Sequence, residues 1–166
     1  GGRPLMWKSG HSMLKAKMKE THALLAGEFS GHILFAERWY GFDDGIYAGA
    51  RLLEILSLDY RTSAEVFAEL PESLSTPEYA LEMEEGQAKE VMAAIEKLPD
   101  LPGARMVKID GLRAEFEQGW GLVRASNTVP ALLFRFEANS EEDLAHVQSI
   151  FRDMLAKIDP NLQPPF

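Results

Sequence analysis

The chain has 166 residues, of which 46% are hydrophobic and 26% charged, an ordinary composition for a soluble globular protein. Its 17 Lys and Arg against 26 Asp and Glu give a formal net charge of −9, which disfavours nucleic acid or an anionic membrane as the main partner, because both require a basic surface. There is no cysteine, so disulfides and thiolate metal sites are excluded, as fits a cytoplasmic location, and no apolar run approaches the roughly 20 residues that span a bilayer.

The first half of the sequence alternates between predicted helices and strands. The elements are a helix at 13–20, strands at 23–26 and 33–35, a helix that begins at Asp43 or Asp44, and a helix at 63–70. Ser12 is a candidate N-cap for the first helix. The apolar run at 23–26 is typical of a buried strand, and Ile46, Ala50 and Leu53 recur at helical spacing.

The second half has a different organisation. Residues 71–77 combine two prolines with hydroxyl side chains and predict a linker. The elements that follow are a strand at 79–83, a helix at 87–98, strands at 105–110, 112–116, 121–124 and 131–137, and a helix capped by Ser140. Asp110 and Gly111 predict a hairpin turn. This order predicts an antiparallel sheet with both helices on one face.

The first stretch that could carry chemistry is residues 27–32 (GEFSGH), in which two glycines bracket polar groups. In an extended chain, Glu28, Ser30 and His32 would lie on one side, where they suit the adjacent hydroxyls of a sugar ring. His11, which follows another glycine, could join them. The alternative is an ordinary polar turn with exposed histidines, and the residues alone leave both interpretations open.

The second stretch is residues 124–130 (RASNTVP). Arg124 offers a planar fork that matches a phosphate, and the loop that follows supplies further donors. These donors are Ser126, Asn127 and Thr128. The alternative is a turn stabilised by its own side chains, with Arg124 in a surface ion pair, and composition alone favours this alternative.

Both stretches resemble motifs of the α-D-phosphohexomutases. Residues 27–32 are similar to the sugar-binding loop of that family, and residues 124–130 to its C-terminal phosphate-binding loop. Residues 37–45, 119–124 and 161–166 also match, so the resemblance covers nearly the whole chain, and the branch it resembles most is the bacterial phosphomannomutase/phosphoglucomutase. Phe29 departs from the Met common at its position and should face away from a ligand.

The resemblance implies a fold of α/β plus α+β class. In a family of four domains, residues 1–72 would be the C-terminal portion of the third, sugar-binding α/β domain. Residues 73–76 would be a linker, and residues 77–166 the phosphate-binding domain, a small antiparallel sheet with two helices on one face. The opening residues lack an initiator Met, which indicates either a tag scar or a chain cut from a longer protein, and we expect the second. The missing third-domain strands would leave an edge for self-association.

The resemblance also implies roles for individual residues. Glu28 and Ser30 would hold the sugar hydroxyls, with His11 and His32 beside them. The phosphate that is not being transferred would be held by Arg124, Ser126, Asn127 and Thr128. The two motifs would thus bind one hexose phosphate, and the sequence does not distinguish mannose from glucose.

The family is an isomerase that transfers a phosphoryl group between C1 and C6 of a hexose through a bisphosphate, using a phosphoserine and a Mg²⁺ loop. Neither motif is present in residues 1–166, so we expect Mg²⁺ to bind outside this fragment and the isolated chain to be inactive. Asp43 and Asp44 lack the third carboxylate of a metal loop, and Asp43 is interpreted as a helix cap. The alternative functions are a non-catalytic sugar-phosphate-binding module and a protein-interaction module.

Overall fold

The structure is a computed structural model that describes residues 2–166. The chain divides into two compact units, the first ending at Pro71 and the second comprising Glu72–Phe166. Each unit is described by itself. Among the described residues, none of the helices combines the length and the apolar character that crossing a membrane requires.

The first unit contains three helices and a two-stranded sheet. Its elements are α1 (His11–Thr21), β1 (Leu25–Gly27), β2 (Ile33–Phe35), α2 (Gly45–Ser57) and α3 (Ser63–Phe67). The strands pair antiparallel, with Gly27 opposite Ile33, so that residues 28–32 form the connection between them. All five elements were predicted from the sequence.

Three details of the first unit differ from the sequence predictions. The N-cap of α1 is Gly10 rather than Ser12, which lies inside the helix. Asp44 caps α2 by accepting a hydrogen bond from the Tyr47 N–H, so the interpretation of Asp43 as the cap was wrong. The first strand is exposed rather than buried, because none of residues 2–166 covers Leu25, which is 56% exposed.

The second unit is an antiparallel sheet packed against two helices. Its elements are β3 (Leu74–Ser75), β4 (Tyr79–Glu82), α4 (Gln87–Ile95), β5 (Arg105–Val107), β6 (Leu112–Glu115), β7 (Gly119–Ala125), β8 (Ala131–Ala138) and α5 (Glu141–Ala156). The strand order is β3-β8-β7-β6-β5, and β4 also pairs with β8. Residues 73–76, predicted as a linker, therefore include a strand, and Thr76 is buried with its hydroxyl accepting the Phe136 N–H at 3.1 Å.

The core of the second unit lies between the sheet and its helices. Alternate residues of β6, β7 and β8 are buried together with the apolar faces of α4 and α5, which confirms the predicted architecture. Gly121 permits a close approach of β7 to α5, because a Cβ there would lie 2.4 Å from Phe151 Cε2. Phe151 packs edge-on against Phe136, with ring centroids 5.2 Å apart. Ser140 caps α5 as predicted, by accepting the Asp143 N–H.

Candidate functional site

Residues 27–32 form a tight turn rather than an extended segment. The Glu28 N–H donates to the His32 carbonyl at 2.9 Å, and the Gly31 N–H donates to the Glu28 carbonyl at 3.0 Å. Gly31 has a φ of 88°, a left-handed conformation that glycine adopts without strain. The expectation that Glu28, Ser30 and His32 lie on one side of an extended chain therefore does not apply. Ser30 and Phe29 lie exposed at the tip of the turn, with Phe29 82% exposed.

The turn nevertheless brings Glu28 and His32 close to the start of α1. Glu28 Oε1 accepts the Gly10 N–H at 2.5 Å. The next residue, His11, places its ring 5.9 Å from the ring of His32, measured between centroids. Three of the four predicted residues of this motif thus share one patch, and the fourth, Ser30, lies in the same turn. The Glu28 carboxylate holds this arrangement together by satisfying a backbone donor that precedes the helix.

A fifth side chain, Asp43, joins this patch although sequence reasoning did not assign it to the site. Asp43 Oδ2 lies 2.5 Å from His32 Nδ1, and Asp43 Oδ1 accepts the Ile33 N–H at 3.2 Å. The hydrogen bond to Asp43 raises the pKa of His32, with further contributions from the negative charges of Asp43 and Glu28. The same hydrogen bond lowers the pKa of the Asp43 carboxyl, as do the charges of His32 and His11. At a pH between the lowered pKa of Asp43 and the raised pKa of His32, the two side chains form an ion pair.

The adjacent carboxylates of Asp43 and Asp44 do not fit a magnesium site. Asp43 is occupied by His32 and Ile33, while Asp44 Oδ1 accepts the Tyr47 N–H and Asp44 Oδ2 accepts the Trp39 indole N–H at 3.2 Å. Oxygen ligands for Mg²⁺ must be free to coordinate in octahedral geometry. Across residues 2–166, no group of three or more His, Asp or Glu side chains could hold a metal ion.

The second motif lies at the end of β7 and in the loop to β8. Arg124 lies opposite Leu133 of β8, and its side chain is only 18% exposed. Its Nη1 lies 3.7 Å from Asp110 Oδ2, yet this nitrogen is buried and has no hydrogen-bond partner within the described part of the chain. Gly111, with a φ of 75°, allows this approach, because a Cβ there would lie 2.6 Å from Arg124 Cβ.

The loop after Arg124 is held by the side chain of Ser126. Ser126 Oγ accepts the N–H groups of Thr128 and Val129, each at 3.3 Å, and the Ser126 N–H donates to the Ala131 carbonyl at 2.9 Å. Asn127 and Thr128 are exposed. The self-stabilised turn and the Arg124 ion pair, both expected of the alternative interpretation, are thus observed. The loop thus follows a buried guanidinium nitrogen with an exposed amide and an exposed hydroxyl within four residues of chain, and donors of these types suit an oxyanion.

Comparison with known proteins matches each of the two units to a domain of one family. Residues 1–74 match the phosphoglucomutase/phosphomannomutase alpha/beta/alpha domain III, and residues 78–154 match the phosphoglucomutase/phosphomannomutase C-terminal domain. The chain belongs to the phosphoglucomutase/phosphomannomutase family. The resemblance stated from the sequence, and the fold class it implied, are therefore confirmed.

Individual relatives agree with this family. The chain is 51% identical over 166 residues to a phosphomannomutase/phosphoglucomutase of Pseudomonas aeruginosa, covering 100% of this chain and 36% of the relative. It is 49% identical over 164 residues to a phosphoglucomutase of Neisseria meningitidis serogroup A, covering 98% of this chain and 35% of the relative. A solved phosphoglucomutase/phosphomannomutase family protein of Burkholderia thailandensis superimposes with a TM-score of 0.91 at 48% identity, covering 100% of this chain and 35% of that one. The chain thus spans about a third of the length of these relatives.

Proposed function

We propose that this chain is the substrate-binding part of a mutase that interconverts hexose 1-phosphates and 6-phosphates through a bisphosphate. The family and the names of the relatives support the reaction class. The observation that carries the proposal is the buried Nη1 of Arg124, which has no hydrogen-bond partner among residues 2–166, since a buried donor of this kind is normally satisfied. A phosphate oxygen would satisfy it.

The first unit would bind the sugar. One oxygen of Glu28 accepts the Gly10 N–H, which fixes the carboxylate while leaving further lone pairs to accept hydrogen bonds from sugar hydroxyls. The exposed Ser30 hydroxyl, in the same turn, can both donate and accept. His11 and His32 add imidazole groups to this patch, beside the phosphate-bearing or reacting end of the substrate. A carboxylate, a hydroxyl and two imidazoles complement a ring of hydroxyls better than they complement an apolar ligand.

The second unit would bind the phosphate that is not being transferred. Arg124 supplies the charged donor, and its guanidinium is already withdrawn from solvent. Ser126 Oγ accepts two backbone N–H groups and lies 3.4 Å from Thr128 Oγ1. Either hydroxyl can be the donor in that contact, so the other hydroxyl keeps its proton for a phosphate oxygen. Asn127 and Thr128 add an amide and a hydroxyl from the exposed side of the loop. A set of one cation and several neutral donors matches the several oxygens of a phosphate group.

The chain itself would bind without catalysing. Phosphoryl transfer requires a nucleophile and a cation that neutralises the developing charge, and residues 1–166 contain neither the phosphoserine motif nor the Mg²⁺ loop of the family. We propose that the rest of a longer cytoplasmic protein supplies both, with Mg²⁺ bound there. The 166-residue chain by itself then corresponds to a non-catalytic sugar-phosphate-binding module. The domain limits near residues 72 and 77, and self-association of the chain, stay predictions.

An activity assay tests this proposal. The purified chain should show no interconversion of glucose or mannose 1- and 6-phosphates, whereas the longer protein should be active and should lose most of its kcat/KM on Arg124→Ala. Arg105→Ala is the matched control, because Arg105 is exposed, pairs with Glu115 and belongs to neither motif. Turnover by the isolated chain, or an unchanged kcat/KM for the Arg124 variant, would contradict the proposal.

A further inference from the structure

Asp43 occupies a place that the proposed function does not use. It lies between the aromatic segment after β2 and the start of α2, and an antiparallel bridge between Leu34 and Asp43 fixes its backbone against β2. Its two carboxylate oxygens are divided between a backbone donor, the Ile33 N–H, and the His32 ring. Because one oxygen is tied to the strand that begins just after His32, the carboxylate cannot follow the imidazole if the ring rotates. It acts as a fixed acceptor.

A fixed carboxylate determines which nitrogen of a histidine carries the proton. Neutral imidazole has one N–H, and the nitrogen facing a carboxylate must be the donor, because a lone pair there would repel the carboxylate oxygen. At 2.5 Å from Asp43 Oδ2, His32 Nδ1 is that donor. Nε2 is then an acceptor when the ring is neutral and a second donor when it is protonated. The side chain is 45% exposed, so this second nitrogen is accessible.

We propose that Asp43 is a positioning residue that holds His32 with Nδ1–H toward the protein, so that Nε2 is the atom presented to the hexose phosphate. This inference rests on the proposed function for its ligand, but the tautomer and orientation of His32 do not require one. The charged groups that face the ring are Asp43, Glu28 and His11. Of these, only Asp43 contacts a ring nitrogen in the part of the chain that the structure describes.

The tautomer can be measured by long-range ¹H–¹⁵N correlation on the ¹⁵N-labelled chain, which separates the ring nitrogens of its four histidines. Above the pH at which His32 titrates, the wild-type ring should show the Nδ1–H tautomer. Asp43→Asn should abolish this preference, because an amide can donate as well as accept, and should also lower the pH of His32 titration. His22 and His146 should be unchanged by the substitution. Asp59→Asn is the matched control, since Asp59 pairs with Arg61 instead.

A wild-type His32 in the Nε2–H form, or a preference that survives Asp43→Asn, would overturn the proposal. A second measurement separates this failure from failure of the proposed function. Titration with glucose 1-phosphate should shift His32 Nε2 in the wild-type chain, and Asp43→Asn should raise the dissociation constant on the order of two- to tenfold, the loss of one well-placed hydrogen bond. An Nδ1–H tautomer that depends on Asp43 but ignores the sugar phosphate would support the positioning role and contradict the proposed ligand.

Discussion

Replacing Arg124 with alanine should sharply weaken binding of glucose 1-phosphate to this chain. The Arg124 side chain is 18% exposed, and its buried Nη1 has no hydrogen-bond partner in the described part of the chain. A hydrogen bond to a charged group contributes about 1.5–3 kcal/mol, and each 1.4 kcal/mol is a factor of about ten in the dissociation constant.

We therefore expect Arg124→Ala to raise the dissociation constant about 10- to 100-fold, measured by calorimetry or by NMR titration. Arg124→Lys should fall between wild type and alanine, because lysine retains the charge but not the planar fork. Arg105→Ala should bind as the wild type does, since the Arg105 side chain is 75% exposed.

The fold should survive the substitution at Arg124. The Asp110 carboxylate that loses its neighbour has a side chain 28% exposed and can be solvated by water. The free energy of unfolding should thus change by less than about 1 kcal/mol, as for other partly exposed ion pairs. An Arg124→Ala variant that is folded and binds glucose 1-phosphate with wild-type affinity would contradict a phosphate site at Arg124, because Nη1 would then contribute nothing to binding.

Two further predictions concern stability. Gly121→Ala should lower the free energy of unfolding by about 1–3 kcal/mol in urea, because the new methyl would overlap the buried ring of Phe151. An unchanged unfolding midpoint would contradict this overlap. The His32–Asp43 pair should contribute stability that is complete below the ordinary histidine pKa of 6.5 and is lost as the pH rises through the raised pKa of folded His32. It should also be lost as the pH falls below the ordinary aspartate value of 3.8, through the lowered pKa of folded Asp43. The stability difference between wild type and Asp43→Asn, measured against pH, should therefore be largest between these two limits, and a flat difference would contradict the pairing.

The parts of the fold that sequence predicted well are those specified by neighbouring residues. Ser140 was found as an N-cap because its partner, the Asp143 N–H, lies three residues away. The hairpin at Gly111 was found because the turn requires a left-handed residue, which glycine supplies. The strand predicted at 131–137 likewise matches β8 to within one residue at its end. Interactions between residues that are close in the chain can therefore be predicted from the sequence.

The parts that sequence missed depend on residues distant in the chain. The contact between His32 and Asp43 exists because the segment after β2 returns along that strand, which no spacing rule indicated. The apolar composition of the strand at Leu25 predicted a buried strand, yet no residue that the structure describes covers it. The alternation argument for residues 27–32 failed because Gly31 makes a turn there. Even so, the turn brings Glu28 to Gly10 and His32 to His11, and the role of these residues in binding a sugar stays a prediction.

The most direct test of the account measures whether the sugar motif and the phosphate motif bind the same molecule. The chain would be titrated with glucose 1-phosphate while the ring signals of His32 are followed, first in the wild type and then in Arg124→Ala. The substitution at Arg124 should raise the dissociation constant reported by His32, and by the same factor that calorimetry gives. If His32 reports wild-type affinity in the Arg124 variant, or never responds to the sugar phosphate, the two motifs do not hold one hexose phosphate and the account is wrong.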